Sequence, residues 1–262
     1  MTINENAIVF YQLPVRDFQS KDDWQGTDTA YRLRSGWDGK PGDMVAFLDT
    51  LVKQEGAPKL TALVIGMWGT QSDVSSQTII QALVQRKHRL GGLRALFLGD
   101  IIVEENEISW IQNSDVSSLL QSFPNLEVFR VRGGNGLSFS KAGHQTLREL
   151  IVETGGLPRS VIREICLGDF PNIEHLELWL GSANYGWDGT VQDLQPILEG
   201  KRFPKLKYLG LRNSEIVDEI APVLVNSPIL RELEVLDLSN GNLSDVGGQA
   251  LLNLPKNTLL RE

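Results

Sequence analysis

One arrangement of apolar positions recurs along the chain. The segments PKLTALVIG, GGLRALFLG, PNLEVFRVR, TLRELIVE, PNIEHLELW, PKLKYLGLR and RELEVLDLS share the register L-x-x-L-x-L. Their anchors are Leu60, Leu93, Leu126, Leu147, Ile173, Leu206 and Leu233. Three residues on stand Leu63, Leu96, Phe129, Leu150, Leu176, Leu209 and Leu236; five on stand Ile65, Leu98, Val131, Val152, Leu178, Leu211 and Leu238. All 14 tested positions are apolar, where a 41% hydrophobic composition would give about six. Such alternation predicts short strands. The anchors are 33, 33, 21, 26, 33 and 27 residues apart. That is room for one strand plus one helix per unit, except across the 21-residue gap.

Helical periods fill the intervals. Met44, Phe47, Leu48, Leu51 and Val52 follow i, i+3, i+4, i+7, i+8, and Val116, Leu119, Leu120 and Phe123 repeat this on a shorter scale. Ser-Asp-Val opens such patterns at Ser72, Ser114 and Ser244, where a Ser or Asp oxygen can accept from a free first-turn amide. Pro196 and Pro222, in the matched DLQPIL and EIAPVL, are expected in first helical turns. TAYRLRSGW, with Tyr31 and Leu33 in the places of Leu63 and Ile65, predicts an opening strand behind an irregular cap. Residues 1–28 are read as that cap and 29–262 as the repeat domain of about eight strands. Leu260, Arg261 and Glu262 echo the LRE of Leu147 to Glu149, one repeat after Leu233, so the chain is expected to be a fragment lacking terminal repeats. A series of unrelated βα units in a doubly wound sheet is the competing α/β architecture, but it does not require a fixed register.

The pattern resembles leucine-rich repeat proteins of the ribonuclease-inhibitor-like, cytosolic type. LEVLDLSNGNLSDVGGQALL, with Leu243 after the strand and Gly247 in the following helix, carries the resemblance best, followed by LKYLGLRNSEI. The blocks LVIGMWG, LRALFLGDI, EISWIQNSDV, FRVRGG, VETGGLP and HLELWLG also resemble a bacterial family of such proteins that has no assigned activity. The resemblance implies an α/β solenoid, a horseshoe with a parallel sheet on its concave face and helices on its convex face. It supplies no catalytic residues. Gly241 and Ser214 stand where the family pattern has asparagine.

In that fold, positions 3, 5 and 7 of each strand line an uncovered concave surface. Position 5 runs Val64, Phe97, Arg130, Ile151, Glu177, Gly210, Asp237; position 7 runs Gly66, Gly99, Arg132, Glu153, Trp179, Arg212, Ser239; Tyr208 is at position 3. Arg, Trp and Tyr are enriched where partners bind. The expected partner-binding set is therefore Phe97, Arg130, Arg132, Glu153, Glu177, Trp179, Tyr208, Arg212 and Asp237. Pairing of Arg132 with Glu153, and of Trp179 with Arg212, is the structural alternative. GDIIVEENEISW, with Asp100, Glu104, Glu105 and Glu107, is expected as an acidic rim loop, able to dock a basic partner or hold a divalent cation. Its spacing fits no calcium loop.

Composition narrows the function. Lys plus Arg is 25 against Asp plus Glu at 33, a net charge of −8, which argues against nucleic acid and anionic membrane and for a basic partner. No apolar run reaches membrane-spanning length, and the single Cys166 excludes an internal disulfide and thiolate metal clusters, so a cytoplasmic protein without metal or cofactor is expected. Cys166, on a stripe with Ile162 and Ile165, reads as a buried thiol. RGGNGLSF is neither a dinucleotide fingerprint nor a P-loop; its glycines, and Gly155 and Gly156 of VETGGLP, are expected to supply positive φ in turns. Gly186 and Trp187 of SANYGWDG read as a packed rim loop, or alternatively a carbohydrate platform. His88, His144 and His175 fit no zinc spacing. The first expectation is a non-catalytic protein-interaction scaffold or regulator. The second is an enzyme or small-ligand binder using Glu153, Glu177 and Trp179, although the arginines would keep those carboxylates ionised. The third is self-association through the C-terminal sheet edge.

Overall fold

The computed structural model describes residues 3–36, 39–69, 74–255 and 259–260. Ten strands form one open sheet in sequential order: β1 (Val9–Phe10), β2 (Leu13–Asp17), β3 (Ala30–Leu33), β4 (Ala62–Ile65), β5 (Ala95–Leu98), β6 (Val128–Arg132), β7 (Glu149–Glu153), β8 (His175–Gly181), β9 (Tyr208–Ser214) and β10 (Val235–Asp237). Only the β1–β2 pair is antiparallel. Between strands lie α1 (Pro41–Val52), α2 (Gln77–Gln85), α3 (Ser117–Ser122), α4 (Arg159–Leu167), α5 (Val191–Leu198), α6 (Val217–Leu224) and α7 (Asp245–Leu251).

The predicted register is the observed one. Tyr31, Leu63, Leu96, Phe129, Leu150, Leu176, Leu209 and Leu236 pair in a single row across β3 to β10. All are fully buried except Leu236, which is partly buried at the last strand. With the anchors and the position-6 residues they join the inward faces of the helices in one elongated core. Apolar residues on the opposite side of the sheet form a separate cluster containing no helical residue, so the helices cover one face only. A doubly wound sheet has helices on both.

The 21-residue interval holds no helix between β6 and β7. There Phe139 packs edge-on to Phe129, 6.3 Å between centroids, and fills the layer a helix would occupy. His144 knits this segment: its Nε2 bonds the Phe123 carbonyl at 3.0 Å and its Nδ1 accepts from Leu147 N at 3.1 Å. Burial pulls its pKa below the usual histidine range, in keeping with a neutral ring.

The expected places of the two prolines and the irregularity expected of residues 1–28 are corrected. Pro196 and Pro222 are the sixth residues of α5 and α6, outside the first turn. α5 starts earlier because Thr190 and Asp193 form a capping box, Asp193 accepting from Thr190 N at 3.0 Å. Each proline omits one intrahelical bond and its helix ends two residues on. Of the Ser-Asp-Val caps, Ser244 accepts from Val246 N at 3.2 Å, whereas at Ser114 the acceptor is Asp115, from Ser117 N at 2.9 Å. Ser72, Arg261 and Glu262 lie outside the described residues. Residues 1–28 are not irregular throughout, since they contribute β1 and β2 to the sheet.

Candidate functional site

Three rows of side chains leave the helix-free face, and their chemistry changes partway along it. Position 3 reads Ala62, Ala95, Val128, then Glu149, His175, Tyr208, Val235. Position 5 reads Val64, Phe97, then Arg130, Ile151, Glu177, Gly210, Asp237.

The apolar half is not an open surface. The N-terminal arm folds over it and inserts Phe10 among Ala30, Ala62, Val64, Ala95 and Phe97. Phe10 and Phe97 lie 5.9 Å apart, and Phe97 has no exposed surface. It is a core residue, which corrects its expected place in a partner-binding set. The arm is pinned along its length. Val103 N donates to the Ile3 carbonyl at 2.9 Å, Ala7 N donates to Asp100 Oδ1 at 3.1 Å, and Tyr11 donates to Glu127 at 2.6 Å.

Asp100 therefore does not belong to a solvated rim loop. Its carboxylate is wholly buried, 2.9 Å from Arg32 Nη1 and 3.8 Å from Arg132 Nη1, because the arm has closed over the chain leaving β5. Glu105 pairs with Arg34 at 3.3 Å and accepts from Ile102 N at 3.1 Å, and Glu107 accepts from Ser109. Only Glu104 of the four is exposed. Among the described residues no group of three His, Cys, Asp or Glu is placed to hold a metal ion.

Across the middle of the face, Glu153 receives both neighbouring guanidiniums, Arg132 Nε at 2.7 Å and Arg130 beside it. Arg132 also donates to the Ile101 carbonyl at 2.7 Å. Both guanidiniums lie over the Phe97 ring, at 4.5 and 5.2 Å. Arg132 and Glu153 are thus a buried ion pair, while Arg130 retains an exposed edge.

The polar half is built around Glu177. Its carboxylate accepts from Trp179 Nε1 at 2.6 Å and Arg212 Nη1 at 2.9 Å, with His175 Nε2 3.6 Å away. Burial alone would raise its pKa; the contacts from His175, Trp179 and Arg212 outweigh burial and hold it at about 2. Tyr208 stacks on His175 at 3.8 Å and donates to Asp237 at 2.8 Å, and burial with its carboxylate neighbours pushes the phenol pKa up. Arg212 spans Asp237 at 3.3 Å and covers the Trp179 ring at 5.1 Å. Gly210 makes room, since a Cβ there would meet Glu177 Cγ at 2.9 Å. The arm and this patch together border a groove of about 720 Å³ lined by Glu5, Arg130, Glu153, Glu177, Trp179 and Arg212. A general acid needs a pKa near the working pH. Glu177, held ionised, has no proton to give there.

A second cavity, about 470 Å³, lies at the rim where the strands end. Loops following β5, β7, β8, β9 and β10 meet there, from Glu107 to Asn242. Gly155 and Gly156 have no positive φ, contrary to expectation; they allow close approach, because a Cβ on either would collide with Ser109 or with the backbone at Tyr185. Of the RGGNG glycines, Gly133 and Gly136 take positive φ, at 102° and 67°, and Gly134 does not; a Cβ there would meet the Gly156 carbonyl at 2.7 Å. Trp187 is buried against Gly189, and the aromatic exposed on its loop is Tyr185. Cys166 is buried on α4 with its thiol pushed up to about 11 by burial.

No protein-family model matches the chain, and no curated protein matches it. A crystal structure of a protein from Bacteroides fragilis is similar, with 35% sequence identity and a TM-score of 0.77 over 82% of this chain. The match covers 61% of that protein, so this chain spans about three fifths of its length. Among the described residues no helix is long and apolar enough to cross a membrane.

Proposed function

We propose that the chain is a leucine-rich repeat horseshoe of the ribonuclease-inhibitor-like type and a non-catalytic interaction scaffold. A protein partner would dock on the concave face over β8 to β10. The aligned leucine rows, the one-sided helices and the likeness to the Bacteroides fragilis structure support the architecture. One observation carries the function: the chain's own arm seals half of this face and leaves Tyr208, Arg212 and Asp237 partly exposed on the other half. Tyr and Arg in a semi-enclosed patch are the residue types that anchor interfaces. The acidic balance of the chain suits a basic docking segment, and a cytoplasmic setting agrees with its one buried cysteine. Affinity capture with the full chain, compared with Tyr208→Ala and Arg212→Glu, tests this. Both variants should keep the wild-type circular dichroism spectrum and lose the captured partner. Folded variants that capture the same proteins as wild type would overturn the proposal.

A further inference from the structure

The rim cavity has a lining that differs from the groove on the sheet face. No Lys, Arg or His lines it, so it is not built for phosphate, sulfate or a ligand carboxylate. It carries hydroxyl, amide and carboxylate groups whose capacity is not used up. Ser182 Oγ has no hydrogen-bond partner among the described residues. Asn213 donates through Nδ2 to the Thr154 carbonyl at 3.1 Å, which fixes the amide plane and leaves Oδ1 to accept. Glu215 takes Ala183 N on Oε1 at 2.7 Å and keeps Oε2 free.

Two large rings stand at the same cavity. Trp110 is 64% exposed and Tyr185 53% exposed, although both line it. Exposed aromatics beside a cleft are apolar surface waiting for a flat apolar face. The backbone holding these groups is set before any ligand arrives. Asn213 sits at a φ of 51°, held by a 3.0 Å bond from its N–H to the Ser239 carbonyl, and Gly155 and Gly181 let the loops touch.

A ligand matching this set must offer apolar faces for two rings, many hydroxyls able to donate and accept, and no negative charge. A neutral sugar does all three: its axial C–H face lies on an aromatic ring, and adjacent hydroxyls bridge carboxylate and amide oxygens. A cavity of about 470 Å³ is large enough for one or two pyranose units. We propose that this rim cavity is a binding site for a neutral oligosaccharide, with Trp110 and Tyr185 as stacking platforms and Ser182, Asn213 and Glu215 reading the hydroxyls. The site is separate from the face proposed for a protein partner.

The test is calorimetric titration of the full chain with maltohexaose, cellohexaose, xylohexaose, mannohexaose and chitohexaose, with octalysine as a peptide probe. Electrophoresis through gels containing soluble glucan, xylan or mannan distinguishes a polymer from a free sugar as the source. The expected result is saturable binding of at least one sugar with a Kd below about 1 mM. Trp110→Ala and Tyr185→Ala should each weaken it about tenfold or more, and Tyr208→Ala should leave it unchanged. Both rim positions are exposed, so these variants should fold. The proposal is overturned if no sugar binds at about 10 mM and no gel retards the protein. Heat with octalysine alone, or sugar binding indifferent to both aromatic substitutions, would overturn it equally.

Discussion

The helix-free face has two halves made from the same three rows of positions, and they do opposite jobs. Over β4 and β5 the rows are small or apolar and the arm covers them, with Phe10 on Phe97 and the buried Asp100 joining arm to sheet. Over β8 to β10 the rows carry Glu177, Tyr208, Arg212 and Asp237, which bond to one another, and His175, which stacks on Tyr208, and they keep a wet edge. The lesson is that alternation along a strand decides which side of the sheet a residue faces. What covers that side is decided elsewhere in the chain.

Truncation should separate the halves most sharply. Phe97→Ala removes a ring packed on all sides, at a cost of about 3–5 kcal/mol. Asp237→Asn, on the same row, should cost about 1 kcal/mol or less. Urea unfolding of the two variants gives the comparison directly; equal losses would mean that the arm does not seal the first half. Asp100→Asn comes next. It leaves the partly buried Arg32 with one carboxylate partner fewer and weakens the anchor of Ala7, so a loss of about 2–4 kcal/mol and faster amide exchange at Ala7 are expected.

The polar half has its own signature in pH. Glu177 has a folded pKa of about 2, below its ordinary 4.5, so the unfolded chain binds the proton more readily. Its contribution is complete above about pH 5 and is lost as the pH falls toward 2, a change on the order of 2–3 kcal/mol. His144, also depressed, adds a loss of the same sign that begins near pH 6.5. Urea midpoints measured from pH 7 to pH 2 should fall throughout. In Glu177→Gln the segment below pH 5 should flatten, while the decline between pH 6.5 and 5 stays.

The strand register was legible because leucine spacing is a local signal. Leu63, Leu96, Leu176 and Leu209 needed only counting, and their pairing follows. The covering of the face was not legible in the same way. The arm turns back through Tyr11 and Gln12, both at positive φ (51° and 61°), without the Gly, Asn or Asp that normally marks such a two-residue hairpin. Its alternating Leu13 and Val15 were the available trace. Asp100 looked like one of a run of solvated carboxylates, since charge composition carries no information on a contact 93 residues away. The rim cavity joins loops from five strands, so Trp110 and Tyr185 reach one cavity only through the fold.

The smallest effect should be the most localised. In a sheet of sequential order each strand touches only its neighbours, so damage at one end need not reach the other. β10 and α7 form the end away from the arm, and Leu243, Val246 and Leu252 are exposed there. Ser244 caps α7 through Val246 N and bonds Asp218 on α6. Ser244→Ala should cost about 1 kcal/mol, which corresponds to about fivefold faster amide exchange when opening is local. That acceleration should appear in α7 and leave the amides of β4 and β5, beneath the arm, at their wild-type rates. A uniform acceleration across both ends would show that the sheet opens as one unit, and would remove the energetic distinction between its sealed and open halves.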